Sequence, residues 1–292
     1  MCGELLTDSA RAVVVDSAWG SVRFLACPVC RSWCQRPRIA PQSLSAWYDS
    51  EHYQGSPGVA GSAYVDYVGD EAERVAEARR RYRRDLAPYL PPGRARVLEV
   101  GCATGSLLSV LRDAGHDVTG IDLSPRFAAV ARQRYGLDVI VADVLSADVP
   151  GDRFDLVVLL GTASNLPDVS ATLRRLRGLL RSPGTLVFNY PAADSLMARI
   201  YGRKFWMFAP SVSSFMTQRG CRSALEQAGF TIIRTATDRQ MPSTRKLLKH
   251  SKLTSLLPVF RAFRLEHRAL PLPVPVPGVR VVWARPTDRV VS

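Results

Sequence analysis

Five residues stand out for their types and spacing: Glu99, Gly101, Gly105, Asp122 and Asp143. Glu99-Val100-Gly101-Cys102-Ala103-Thr104-Gly105 follows an apolar run, Arg96–Val100, and leads into an apolar-periodic stretch, Ser106–Ala114. Glycine at 101 and 105 lets the backbone turn sharply and lets a ligand approach without a Cβ in the way. Asp122 ends the next apolar run, where a carboxylate can accept two ribose hydroxyls, and Asp143 closes the third run at the same edge. A single strand-end Asp is commonly a turn or helix cap. Three acids at three successive strand ends instead converge on one pocket for a nucleoside-type cofactor.

A dinucleotide fingerprint would need Gly-x-Gly-x-x-Gly with the helix N-terminus on a pyrophosphate. This turn lacks the middle glycine and places Glu99 where phosphate would be repelled. A carboxylate there suits the amino group of a cationic ligand, and no Tyr-x-x-x-Lys pair of the short-chain dehydrogenase kind occurs. The pattern points to S-adenosylmethionine (SAM).

The elements that must hold these residues alternate. Strands are expected at Arg96–Val100, Asp117–Ile121, Asp138–Val141, Phe154–Leu160, Thr185–Tyr190, Thr231–Thr235 and Val279–Trp283. Helices are expected at Ser106–Ala114, Pro125–Tyr135, Val169–Arg181 and Phe215–Ala228, the last with Gly229 at its C-cap. Strands separated by helices of this length mean βαβ units and a mostly parallel sheet covered on both faces, an α/β fold. Before it, residues 70–87 read as a helix with acids first and arginines later, matching its dipole, and Pro91-Pro92-Gly93 mark a boundary. A strand is expected at Ser21–Leu25, within the turn-rich segment 1–45. Three regions are expected: 1–45, Cys-containing; 46–92, an aromatic and helical cap; and 93–292, with an insertion at 240–277. The insertion carries Leu253, Leu256, Leu257, Phe260 and Phe263 at helical spacing among Lys246, Lys249, Lys252 and Arg261, broken at Pro258.

The chain has 292 residues, long enough to bury a sizeable core, and its 47% hydrophobic content excludes wholesale disorder. No apolar run approaches the ~18 residues of a membrane-spanning helix, and the N-terminus shows no basic signal region, so a cytoplasmic location is expected. The formal charge of +13 is concentrated late: residues 231–292 hold 12 Lys and Arg against 3 acids. Such a surface suits an acidic, phosphorylated or carrier-bound acceptor, or peripheral membrane contact; an arginine-rich composition accounts for it equally well. Six cysteines include Cys27-Pro28-Val29-Cys30, which without a secretory signal reads as metal-binding or redox before disulfide.

VLEVGCATGSLL, VTGIDLSPRFAAVAR, VIVADVL and FDLVVLL with the following LRRLRGLLRSPGTLVFNYP resemble, in order and at normal spacing, the successive motifs of class I SAM-dependent methyltransferases. The resemblance implies a Rossmann-like seven-stranded sheet with its last strand antiparallel. It also implies Glu99, Gly101, Ala103 and Gly105 around the methionine part of SAM, Asp122 on the ribose, and Asp143 with Val144 near the adenine. Cys102, Thr104, Leu123, Leu160 and Gly161 complete the candidate cofactor shell, Cys102 as a small packed residue.

A narrower resemblance covers the flanks. Cys27-Pro28-Val29-Cys30, Pro37, Leu44 and WYDSEHY at 47–53, with PAADSLMARIYGRKFWMFAPSVSSFMTQRGCRSALEQAGF downstream, are similar to bacterial small-molecule methyltransferases with an N-terminal zinc knuckle. That likeness implies a structural zinc on Cys2, Cys27 and Cys30, with Cys34 or His52 as fourth ligand. The knuckle is degenerate, since only Cys2-Gly3 stands where the group has a first Cys-x-x-Cys-Gly, and a metal-free turn with reduced thiols is the alternative. The group commonly shows Glu-His after the fourth strand and a His before the downstream Phe; here stand Ser164-Asn165 and Ser213-Ser214. His52 is then the candidate base, with Tyr53 and Asn165 as further catalytic candidates. Tyr48, Tyr64 and Tyr67 are expected to cap cofactor and acceptor, and Trp206 and Phe208 to line the acceptor side.

The expected function is methyl transfer from SAM to a small-molecule acceptor. The alternatives are an RNA methyltransferase, or a catalytically impaired SAM-binding regulator. Nucleic acid is the weaker partner, because Leu160-Gly161-Thr162-Ala163 replaces the Pro-Pro-Tyr-type tetrapeptide of nucleic-acid enzymes.

Overall fold

The computed structural model describes residues 11–17, 20–50, 67–149, 153–202, 208, 211–240 and 274–287. Its central sheet has seven strands: β4 (Arg96–Val100), β5 (Asp117–Asp122), β6 (Val139–Val141), β7 (Phe154–Leu159), β8 (Leu180–Pro191), β10 (Phe230–Gln240) and β11 (Val274–Pro286). They lie in the order β10-β11-β8-β7-β4-β5-β6. The pairs among β6, β5, β4, β7 and β8 are parallel, and β11 runs antiparallel to both β8 and β10. β7 is buried along its whole length, as a strand covered on both faces must be. The expected seven strands and antiparallel last strand are present.

The helices between strands start where their caps dictate. α3 (Ser106–Asp113) follows the glycine turn, with Gly105 at φ 77° as its N-cap. At α4 (Pro125–Tyr135) the Ser124 hydroxyl accepts from the Phe127 N–H and Pro125 opens the first turn. At α5 (Val169–Leu179) Asp168 accepts from Ala171 N–H. Two expected helices are shorter than their apolar pattern. α5 stops at Leu179 because Leu180 is already the first residue of β8, paired with Phe154. The stretch Phe215–Ala228 divides into strand β9 (Ser214–Phe215) and helix α7 (Gln218–Gln227), because Thr217 caps the helix while Phe215 is drawn into a separate aromatic cluster.

That cluster belongs to a second sheet, β1 (Ala12–Ser17), β2 (Gly20–Ala26), β3 (Trp33–Arg36) and β9, in that order. Phe24, fully buried, meets Phe208 and Phe215 at ring distances of 5.2 and 5.4 Å. β9 comes from the segment after β8, so the N-terminal strands are hydrogen-bonded to the loop beyond the central sheet. Helix α1 (Pro41–Asp49) follows, and helix α2 (Glu71–Arg81) continues through a π-turn at Tyr82–Leu86 and a short turn at Ala87–Tyr89. α6 (Leu196–Tyr201) lies between β8 and β9. The main core lies between β4, β7, β8 and β11 and the helices α5 and α7, with Leu98, Val157, Leu176, Leu186 and Leu225 fully buried. The bulk of the basic insertion, 241–273, lies outside the described residues. No described helix is long and apolar enough to cross a membrane.

Candidate active site

A pocket opens at the carboxyl ends of β4, β5, β6 and β7, where a doubly wound sheet binds its ligand. Its lining includes Tyr48, Tyr67, Gly101, Ala103, Asp122, Leu123, Phe127, Asp143, Val144, Leu160, Gly161, Thr162 and Asn165. Eleven of the sequence-expected residues thus meet in one cavity. The glycine turn is built for close approach. At Gly101 (φ 74°) a Cβ would stand 2.2 Å from Thr162 Oγ1, so the loop after β7 presses directly on the loop after β4. Ala103, at φ 46°, carries a left-handed backbone in a non-glycine residue. Its N–H donates to Asp122 Oδ2 at 2.8 Å, and Ser124 N–H donates to Oδ1 at 2.9 Å. Each Asp122 oxygen therefore keeps lone-pair capacity toward the pocket.

Glu99 and Asp122 form a buried acidic pair. Burial, followed by the charge of Asp122, pushes the Glu99 carboxyl well above its usual range, and burial likewise raises Asp122. The Oε2 of Glu99 is buried without a hydrogen-bond partner. A buried carboxylate oxygen left unpaired is costly, and a cationic ligand group beside the pair would relieve both the repulsion and the lost hydrogen bond. This donor set fits the ammonium and ribose of SAM. Asp143 turns its Oδ1 to Leu145 N–H at 2.8 Å and holds the loop after β6 at the rim.

Four cofactor-shell candidates lie behind the lining: Glu99, buried beside Asp122, and Cys102, Thr104 and Gly105. Cys102 packs with Leu108, Ala131, Leu137 and Val139, and burial raises its thiol pKa well above the ordinary value, which keeps it an inert small side chain. Thr104 faces away, its hydroxyl donating to Glu71 Oε2 at 2.9 Å, and Gly105 serves as the helix cap. Of the acceptor candidates, Tyr48, Tyr67 and Asn165 reach the pocket, whereas Phe208 packs among Phe24, Trp33 and Phe215. His52, Tyr53, Tyr64 and Trp206 lie outside the described residues.

Two features carry no signal that sequence reading used. Helix α1 is docked by Ser45, whose hydroxyl donates to Leu123 O at 2.7 Å, and by Asp49, which accepts from the Ser124 hydroxyl. Tyr48 is thereby brought into the cavity lining, and Tyr67 packs tilted against Phe127 at 4.8 Å with the Arg74 guanidinium 4.0 Å from its ring. Glu71 is the second feature. It accepts from Thr104, Ser106 at 2.6 Å, Tyr135 at 2.7 Å and Arg74 at 2.6 Å, tying the start of α2 to the glycine turn. Burial alone would raise its pKa, but the hydrogen bonds from Ser106, Tyr135 and Arg74 outweigh it and the net shift is downward. Burial, with the Glu71 bond, lifts the Tyr135 phenol to about 12.

At the N-terminal turn Cys27 and Cys30 are buried, and the Cys30 N–H lies 3.4 Å from Cys27 Sγ. Among the described residues no three His, Cys, Asp or Glu side chains group so as to hold a metal. Cys2 and His52, two of the expected ligands, lie outside the described residues.

The order of strands and the pocket at their carboxyl ends define the class I SAM-dependent methyltransferase fold. Residues 72–235 match the methyltransferase domain family, and the chain belongs to it. It is similar to a malonyl-[acyl-carrier protein] O-methyltransferase of Enterobacter lignolyticus, 33% identical over 154 residues that make up 51% of this chain and 60% of that protein. It is also similar to a ubiquinone biosynthesis O-methyltransferase of Xanthomonas campestris pv. campestris (strain B100), 34% identical over 161 residues, 51% of this chain and 59% of that one. The chain thus spans about three-fifths of the length of these curated relatives. Its fold is shared with magnesium protoporphyrin IX methyltransferase from Synechocystis PCC 6803 with bound SAH, at TM-score 0.51 and 17% identity over 85% of this chain and all of that one. A SAM-dependent methyltransferase from Archaeoglobus fulgidus aligns at TM-score 0.51 and 17% identity over 75% and 98% of the two chains.

Proposed function

We propose that the protein transfers a methyl group from SAM to a small-molecule acceptor whose reacting atom is an already ionised oxygen, free or carried on a larger acidic partner. The observation that carries the cofactor half is the buried Glu99–Asp122 pair with its unpartnered oxygen beside the glycine turn. Glu99 would hold the ammonium of SAM, Asp122 the ribose, and the Asp143–Val144 loop the adenine. SAM supplies a sulfonium methyl; the protein's task is to hold an acceptor in line with it, and positioning of that kind supplies much of the acceleration.

The acceptor half rests on the remaining lining, Tyr48, Tyr67, Thr162, Asn165, Leu166 and Pro167, which is hydroxyl, amide and apolar. Such a surface positions and desolvates an acceptor. A carboxylate needs no proton removed, whereas a phenol or alcohol acceptor calls for a base, the role open to His52. The malonyl-carrier and ubiquinone-pathway relatives represent two acceptor chemistries named among similar proteins. The zinc on Cys2, Cys27 and Cys30 is retained as a structural proposal, answered by elemental analysis of protein purified without chelator.

The test is transfer of label from methyl-labelled SAM into panels of carboxylic acids, carrier-bound acyl groups, phenols and RNA. Label in base-stable ethers only would overturn the ionised-acceptor reading. Label in RNA would support the nucleic-acid alternative. SAM binding with no transfer to any panel would favour the regulatory one.

A further inference from the structure

Helix α2 is tied to both loops that form the pocket, directly at its start and through a relay of side chains at its end. At its start Glu71 binds the glycine turn through Thr104 and Ser106. At its last residue, Arg81, the guanidinium Nη2 lies 2.8 Å from both carboxylate oxygens of Asp238 on β10, a side chain with 0% exposure. Asp238 Oδ2 accepts from Asn189 Nδ2 at 3.0 Å, and Asn189 Oδ1 accepts from the Gly161 N–H at 2.6 Å. The two bonds fix the amide's orientation, since only its nitrogen can donate to a carboxylate and only its oxygen can accept from an N–H. Gly161, at φ 76°, sits in the loop whose Thr162 abuts Gly101. A charged pair this deeply buried is weak evidence for stability, because desolvation offsets most of the attraction. What this one adds is direction: it ends on a pocket-lining amide.

We propose that Arg81, Asp238 and Asn189 are positioning residues that hold the Gly161 turn in its ligand-binding position, α2 being a clamp across the two loops that form the cofactor pocket. The proposal rests on the reading that this pocket takes SAM or its product. It assigns Asn189 no contact with the reacting atoms.

The experiment reverses the polarity of the relay. Asn189→Asp sets two carboxylates against each other where a donor met an acceptor. Adding Asp238→Asn restores one donor and one acceptor and returns the net charge to that of the wild type. SAH affinity is measured by titration calorimetry, with the native fold checked by circular dichroism. Asn189→Asp should weaken SAH binding at least tenfold, and the double variant should return to within about threefold of wild type, a coupling that a double-mutant cycle isolates. Wild-type affinity in a folded Asn189→Asp protein would overturn the proposal, as would a double variant weaker than the single one. Should Asn189→Asp not fold, Asn189→Ala leaves the Arg81–Asp238 pair intact and must meet the same tenfold loss. Exchange of the Gly161 amide, followed without ligand, separates the two readings. Protection in the wild type that is lost in Asn189→Ala supports the relay even if SAH binding fails and the SAM reading with it; equal exchange in both overturns it.

Discussion

At the scale of single residues, Glu99 and Asp122 make the site legible through their protons. Burial holds both carboxyl pKa values up, with the charge of Asp122 adding to it at Glu99 and that of Asp49 at Asp122, and the neighbouring Cys102 thiol is raised by its own burial and then by the pair. A cationic ligand stabilises the ionised forms and so lowers those pKa values on binding. SAM binding should therefore release protons, and its affinity should rise with pH as the pair ionises. Calorimetry in buffers of differing ionisation enthalpy reads this directly. Glu99→Gln should abolish most of the proton release and weaken SAM binding by about 1–3 kcal/mol, the cost of a charge-assisted hydrogen bond. Buffer-independent heats with the wild type would remove Glu99 from the ammonium site. Glu71 has the opposite sign. Its folded pKa is depressed, so its contribution to stability is present at and above the ordinary carboxylate range and fades as pH falls through the folded value. Glu71→Gln should lower Tm at neutral pH, with the gap closing in acid. A gap that is constant with pH would mean that the carboxylate acts through packing alone.

At the scale of elements, the glycine turn and the parallel strands were readable because each obeys a local rule. An apolar run becomes a buried strand, two glycines make the turn, and Ser124 or Asp168 caps the next helix. Of the N-terminal strands only β2 was foreshadowed, at Ser21–Leu25; β1, β3 and the α1 helix were not, because their order depends on distant partners: β3 pairs with β9, far along the chain, and α1 docks on Leu123 and Ser124. Asn189 and Glu71 escaped notice for the same reason. An amide in Val187-Phe188-Asn189-Tyr190 looks like a lapse in an apolar strand until Gly161 and Asp238 are seen beside it. Helix α1 offers its own test. Ser45→Ala combined with Asp49→Ala removes both of its hydrogen bonds to the loop after β5 and keeps the Asp122 side chain in place, relieved only of the Asp49 charge that helps raise its pKa. SAM affinity should drop about threefold to tenfold, chiefly through faster dissociation, if α1 covers the ribose end of the cavity. Unchanged dissociation in stopped-flow would place α1 outside the binding pathway.

At the scale of the whole molecule, the N-terminal sheet and the catalytic sheet share their walls. Ser213 and Ser214 N–H groups donate to Ser164 O in the pocket loop at 2.8 and 3.0 Å, and Arg38 pairs with Asp168 at the cap of α5 at 2.7 Å. The Phe24–Phe208–Phe215 cluster joins β2 to the segment that follows β8. A sheet that borrows a strand and a core from the far half of the chain should not melt on its own, so the protein should unfold as one cooperative unit. Phe24→Ala truncates a fully buried ring and should cost about 3–5 kcal/mol. The loss should lower a single transition, with Trp33 in the N-terminal sheet and Trp283 in the central sheet reporting the same midpoint in single-tryptophan variants. Two separated midpoints, with SAH still bound between them, would instead make residues 11–36 a detachable module and confine the methyl-transfer unit to the central sheet.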